Sequence, residues 1–341
     1  MHKSKKETTH IPLFIFGGVV LYFLSGMVDE LRVYQGASIA VYVIAISSII
    51  LLTGYSGQVS LGHGALMAVG AYAAAVLRIE FNVPIILCFV AAVLAAAIGG
   101  ALLGAAAARL SGPYLAGTTL ALAIGLPSLA NQFPILGGEQ GLAFDVGFPP
   151  LALGEEFTQY KWFFWIAALA ALVSMWSVRN ILNSAYGRSW RAGRSNEVAA
   201  QLAGINTARS KVLAFTISAG IAGLAGALLA MTIGTVSPSA FPFALSFSLM
   251  AGAVLSGITT LGGVIIGAVV LVAIPEIADV VAHRLGSSES VTTNLPGLIV
   301  SGLLILTVLF VPNGPVEQHR ARKAKHEAAH KSSKKKKHQK Q

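Results

Sequence analysis

Residues 179–211 read RNILNSAYGRSWRAGRSNEVAAQLAGINTARSK. This is the longest polar stretch between the two termini that also carries helix signals, and long apolar runs lie on both sides of it. Six of its residues are cationic (Arg179, Arg188, Arg191, Arg194, Arg209 and Lys211) and one, Glu197, is acidic. Ser195 or Asn196 can cap a helix, Glu197 falls in its first turn where a negative charge suits the helix dipole, and Gly204 can end it in the left-handed conformation. Val198 and Leu202 are four apart and share a face, with Ala199 beside them. Two turns are too short to stand alone in water. The helix expected at 195–204 therefore needs a partner surface, within the chain or on another subunit. A charged, ordered insert between apolar runs points to a docking surface for another protein. The plain alternative is an ordinary inner loop, cationic because inner loops usually are.

The flanks decide the class. The chain has 341 residues, 55% hydrophobic and 11% charged, with a mean hydropathy of +0.72. Soluble domains carry roughly 25% charged residues, so the composition is that of an integral membrane protein. The net charge of +10 is uneven, because residues 317–341 hold ten Lys/Arg against two Asp/Glu. That basic tail (316–341) reads as disordered and solvated, able to touch anionic head groups. No folded module accompanies it, so nucleic acid is not expected as a partner. One cysteine, Cys88, excludes an intrachain disulfide and a thiolate cluster. Neither a cofactor nor a metal is expected.

A helix needs roughly 20 apolar residues to cross the hydrocarbon core. Spans are predicted near 11–28, 37–53, 60–77, 84–108, 114–132, 161–178, 212–233, 243–258, 262–275 and 293–311, about ten in all. The run 11–28 follows a basic start at 1–10, yet it lacks a small-x-small cleavage site and reads as a retained first span. The pair 243–258 and 262–275 reads as a hairpin or broken helices split at Gly257 to Gly263. The expected fold is therefore all-α and polytopic, with a transmembrane domain over 11–315, a central loop at 179–211 and both termini cytoplasmic. With both ends inside, 20 of the 24 Lys/Arg are inner, and Arg32, Arg78, Lys161 and Arg284 fall outside. Tyr160, Trp162 and Trp165 would form an outer aromatic belt. No Asp, Glu, Lys or Arg lies near the middle of a predicted span, which argues against an ion-coupled carrier. No phosphate loop is present, so any ATP must be bound by another subunit.

Three further stretches draw attention. Gly54–Gly64 (GYSGQVSLGHG) is dense in glycine and serine, and it places Gly57, Gln58, Ser60, Gly62 and His63 at membrane depth. It reads as a broken helix on a substrate path, or as tight packing with His63 hydrogen-bonded to a neighbour. Gly137, Gly138, Glu139, Gln140 and Gly141 form an outer turn that can meet a binding protein or gate the mouth, or be a plain turn. Gly220, Gly223 and Gly226 recur every three residues, as a helix–helix contact requires. A compositional repeat pairs 54–72 with 246–268.

Together these residues resemble the M-type (LivM-type) permease subunit of branched-chain amino-acid ABC importers, over roughly residues 37–315. Gly54–Tyr72 looks like the family's most recognisable segment, and Gly137–Leu142 is similar to its Gly-Gly-x-x-Gly-Leu turn. Gly187–Lys211 looks like its coupling loop, with Glu197, Ala199, Ala200 and Gly204 in the Glu-Ala-Ala…Gly positions and one residue separating Glu197 from Ala199. Ser256–Gly263 reads SGITTLGG where the family usually carries Gly-Gly-x-Gly-Thr. The resemblance implies cytoplasmic ATPase subunits, a second (H-type) permease subunit and an external binding protein as partners in the cell membrane. It implies branched-chain amino acids as cargo, with urea or short amides as the alternative, and no bond chemistry on this chain. Arg188, Arg191 and Arg194 would hold the loop at the lipid surface or pair with ATPase acids. A solitary carrier, or a scaffold recruiting partners through its tail, are the competing classes.

Overall fold

The computed structural model describes residues 29–110, 112–150 and 157–284, with single positions at 295, 298, 299, 302 and 305. Apart from those single positions, the expected spans at 11–28 and 293–311, the segment 1–10 and the tail 316–341 lie outside the described residues. The chain divides into two units, Met1–Met250 and Ala251–Gln341.

The first unit opens with α1 (Glu30–Ile49), which passes into a π-helical turn at Ile50–Tyr55. Two consecutive serines prepare that change, since Ser47 and Ser48 donate to the carbonyls of Ile44 and Ala45 at 2.7 and 2.6 Å. Such back-bonding bends helices. After an irregular stretch come α2 (His63–Phe81), α3 (Ile85–Ala107), α4 (Pro113–Gln132) and α5 (Gln159–Asn183). Two short helices follow, α6 (Ala185–Ser195) and α7 (Glu197–Leu202), and then the long α8 (Thr207–Ile233). Helix α9 (Phe243–Leu255) leads into the second unit, where α10 (Val264–Arg284) follows a turn. Among the described residues eight helices are long and apolar enough to cross a membrane, each at a position read from the sequence.

Helix α8 is the centre of the first unit, packed against α1, α2 and α3. The contact with α3 is nearly backbone to backbone. Cys88, Ala92, Ala96, Gly100 and Gly104 recur every four residues on α3 and are all buried. A side chain at Gly223 of α8 would come within 2.6 Å of the Ala92 carbonyl oxygen, and one at Gly220 within 3.3 Å of Val93. Gly226 faces Met67 of α2. The three-residue glycine spacing is thus helix contact. The opposite stripe of α3 (Ile86, Val90, Leu94, Ile98 and Leu102) is exposed and suits hydrocarbon.

At the end of the first unit where α8 finishes, Leu142–Ala143 (β1) pairs antiparallel with Thr235–Val236 (β2), Leu142 opposite Val236. The turn Gly137–Gly141 leads into this ladder. Gly137, Gly138 and Gly141 have φ of +75°, +56° and +74°, and Gly141 lies against the Val236 carbonyl. The glycines are therefore required by the backbone. Glu139 and Gln140 sit exposed at the tip. Arg78, near the end of α2, donates to the carbonyls of Asp145 and Val83 at 3.2 Å, so it belongs to this same end.

Four expectations need correction. The stretch 179–211 is not a loop with one short helix. Its first residues continue α5, and α6 occupies 185–195, because Ser184 accepts from the Tyr186 N–H and caps it. The third span begins at His63 and not at residue 60, since Gly57 turns the chain with φ +75°. The second begins at Glu30, earlier than residue 37. In the second unit, α10 runs through Pro275 to Arg284, past the expected end of the span near residue 275. The break before it is a tight turn: Gly257 has φ +81°, and Thr260 donates to its carbonyl at 2.7 Å.

Candidate functional site

The site is built where α6 and α7 meet the interrupted segment 50–62. Asn196, not Ser195, caps α7, its Oδ1 accepting from the Ala199 N–H at 3.0 Å. Gly204, with φ +84°, ends the turn, as the sequence implied. Asn206 starts α8 in the same way, accepting from Arg209 N–H at 2.9 Å. The helix of 197–202 thus has a polar lock at each end, which offsets its shortness.

Its faces are sharply divided. Ala200 is buried, and Ala199 is exposed. Glu197 pairs with Lys211 Nζ at 2.7 Å, and Gln201 donates to Thr207 Oγ1 at 2.9 Å. These bonds tie α7 to the start of α8. On the other face Val198 is 66% and Leu202 85% exposed. The shared face read from the sequence is real, and it is bare in this chain. The hydrogen bond from Lys211 holds the Glu197 carboxyl below its ordinary value of 4.5, with burial opposing. A depressed carboxylate contributes stability above that value and loses it as pH falls through the folded one. Glu197→Gln is expected to cost under about 1 kcal/mol near pH 7, because the pair is partly exposed. The difference from wild type should vanish in thermal melts well below pH 4.5.

Helix α6 is anchored by Trp190, buried at 2% exposure, whose indole N–H donates to the Ser210 carbonyl at 2.9 Å. Its arginines do not all point outward. Arg194 donates to the carbonyl of Gly54, at the end of the π turn. Arg191 lies over the Tyr55 ring, 5.6 Å from its centroid. Arg188 donates to the Asn183 carbonyl at 3.2 Å. A side chain on Gly57 would come 2.8 Å from Arg194 Cγ, so glycine there serves both the turn and the close approach.

Within the interrupted segment most polar groups are satisfied from inside the chain, and the buried Gln58 Oε1 is left without a partner. Thr53 Oγ1 donates to the Gln58 carbonyl at 3.0 Å, and Gln58 Nε2 to Ser56 Oγ at 2.5 Å. Leu61 N–H donates to Thr119 Oγ1 at 3.0 Å, and Gly64 N–H to Ser246 Oγ at 2.9 Å. His63 is fully enclosed. Its Nε2 lies 2.9 Å from Ser218 Oγ, which itself donates to the Ser48 carbonyl at 2.8 Å. Nε2 therefore carries the proton, and Nδ1 accepts from Ser60 Oγ at 3.1 Å. This relay pins α2, α8 and α1 together. Removing His63 leaves the Ser60 hydroxyl without its acceptor, at about 1–3 kcal/mol, while Ser218 keeps its bond to the Ser48 carbonyl but loses its incoming donor. His63→Ala should lower the thermal midpoint of the purified chain in detergent, and His63→Gln, which can donate and accept, should lower it less.

A cavity of about 300 Å³ opens beside this junction. Gly57 and Gln58 form one wall, Arg194 to Glu197 another, and Ala107, Leu110 and Leu115 an apolar side. Of the five candidate path residues, Gly57 and Gln58 therefore face open space, whereas Ser60 and His63 are held in the relay and Gly62 lies against Thr119. Glu139, Gln140 and their glycines belong to the opposite, β1–β2 end. Among the described residues no three His, Cys, Asp or Glu side chains come together to hold a metal.

Residues 34–309 match the family described as branched-chain amino acid transport system / permease component. The chain belongs to that family. Two relatives bear directly on this permease. The high-affinity branched-chain amino acid transport system permease protein LivM of Escherichia coli K12 is 32% identical over 296 residues, which is 80% of this chain and 67% of that protein. LivH of Salmonella typhimurium, a permease protein of the same kind of system, is 30% identical over 191 residues, 56% of this chain and 54% of that one. No solved structure matches.

Sequence reasoning missed four residues of this permease that organise the site. Trp190 carries its signal, a lone tryptophan among arginines. Lys211 sits fourteen positions from Glu197, too far apart for a local pairing rule. Ser218 and Ser246 are single hydroxyls in apolar helices, and nothing local marks them as partners of His63 and Gly64.

Proposed function

We propose that this chain is the membrane-spanning permease subunit of an ABC importer, carrying branched-chain amino acids across the cell membrane and powered by a separate ATPase. One observation carries the docking reading: a short helix, locked at both ends, presents Val198 and Leu202 bare on a platform of α6 and α8. An ATPase groove covers that face. The face needs such a cover because two large apolar side chains, four apart on one helix, match helix-in-groove recognition. The excess of Lys and Arg around 179–211 supports a cytoplasmic position for it. The likeness to LivM and LivH, permease proteins of branched-chain amino acid transport systems, supports the cargo. A second, H-type permease completes the path, an external binding protein delivers the substrate, and Glu139 and Gln140 offer it an exposed tip. The chain itself breaks no bond.

The chemistry of the path agrees with a zwitterionic cargo. Irregular, glycine-rich backbone at membrane depth is tolerated where protein covers it or it lines a cavity, and segment 57–62 has both. Such backbone meets a carboxylate without a fixed charge, and an apolar wall takes the side chain.

The test is uptake by vesicles that contain this chain with its ATPase, partner permease and binding protein. Labelled leucine should accumulate only with ATP. ATP-dependent uptake of urea without leucine would keep the machine and change the cargo. Leucine uptake by this chain alone, indifferent to ATP, would sink the proposal.

A further inference from the structure

We propose that Arg194 is the positioning residue that joins the docking helices to the interrupted span, so that a push on α7 is delivered to Ile50–Gly62 as well as to α5 and α8. The inference rests on the reading of α6–α7 as an ATPase docking surface. By chain connection those helices reach only α5 and α8. Gly54 is 140 residues away in sequence, yet its carbonyl takes the Arg194 guanidinium.

The bond has a physical reason. Carbonyls at the last turn of a helix lack intrahelical partners and carry partial negative charge. A guanidinium satisfies both needs. The contact is also mechanical, since Gly57 packs on Arg194 Cγ with no room for a side chain between them. Arg191 over Tyr55 supplies a second attachment, one turn back along α6. The piece being gripped behaves as one block, because Thr53 is bonded to the Gln58 carbonyl across the turn. At its far end that block adjoins His63, whose relay reaches α8 and α1. The same two walls, Gly57–Gln58 and Arg194–Glu197, bound the 300 Å³ cavity. A shift of α6 therefore changes the cavity as it moves the segment.

Arg194 as a whole remains exposed, and an exposed cation at a helix end adds little to folding. Its removal should be read in coupling rather than in stability. The experiment measures leucine transported per ATP hydrolysed by the complete importer in proteoliposomes. Arg194→Ala is expected to lower that ratio about tenfold, within the range by which coupling residues act. Arg194→Lys, which keeps the charge and a donor but loses the planar fork, should recover part of it. Tyr55→Leu, which removes the ring beneath Arg191, should lower the ratio in the same direction, and it serves if the first variant does not assemble. Uptake and hydrolysis falling in equal proportion would overturn the inference, as would a lysine variant no better than alanine. If the wild-type complex shows no ATP-driven leucine uptake, the permease reading itself fails. An unchanged ratio in an active complex overturns only the role of Arg194.

Discussion

Leu202→Asp is expected to abolish ATP-driven uptake while leaving the isolated chain folded. The side chain is 85% exposed, so the fold loses almost nothing when it changes. Docked in an ATPase groove, a leucine of that exposure would gain about 3 kcal/mol from burial. Losing it weakens association about a hundredfold. A carboxylate forced into the same groove adds its own desolvation cost. Two measurements on one preparation check this. The thermal midpoint of the purified variant should match wild type within experimental error, and co-purification of the ATPase should be lost. A variant that still holds its ATPase and transports would remove α7 as the docking element. Ala199→Asp should act in the same direction, because Ala199 is exposed on the same short helix.

Gly223→Val has the opposite profile, destroying the fold rather than the docking. The nearest atoms are the Ala96 Cβ, which has no rotamer to give, and the Ala92 carbonyl oxygen, 2.6 Å from where a Cβ would sit. Neither α3 nor α8 can yield by rotating a side chain. Overpacking of this kind costs about 3 kcal/mol or more, a large share of the 5–15 kcal/mol typical of a folded domain. The variant is expected to accumulate at a small fraction of the wild-type level and to melt early in detergent. Gly125→Ala is the control. Nothing lies within 4 Å of its added Cβ, so its yield and melting should match wild type or rise slightly. Equal yields for both variants would mean that α3 and α8 are not packed as described.

The contrast shows which features were legible in the sequence. Long apolar runs and their breaks are local signals, and every described span overlapped the run that hydropathy marked, although the second and third began elsewhere and α10 ran on past Pro275. The glycine series at 220–226 was legible because spacing alone puts it on one side of a helix. The cap and stop of α7 were legible for the same reason, since Asn196, Glu197 and Gly204 act within two turns. The extra helix α6 was not, because its hydrophobic pattern rests on Trp190 alone and its arginines read as loop. Nor could spacing reveal that Arg194 turns inward to Gly54 or that Lys211 meets Glu197. Those partners come from different helices, and only packing around α8 brings them together. His63 illustrates the limit of residue type. A histidine at membrane depth invites a functional role, and here Ser60, three residues before it, and the distant Ser218 hold it in a relay.

Cys88 has a practical use. It is the sole cysteine in the chain, it is fully buried, and its thiol points at the Val83 carbonyl at 3.4 Å. A water-borne maleimide therefore finds no target on the folded wild type. The natural protein is its own blank for site-directed labelling, and no background substitution has to be made first. A single cysteine introduced at Val198 or at Glu139 would report, by labelling alone, which side of the bilayer each end faces and when a partner covers it.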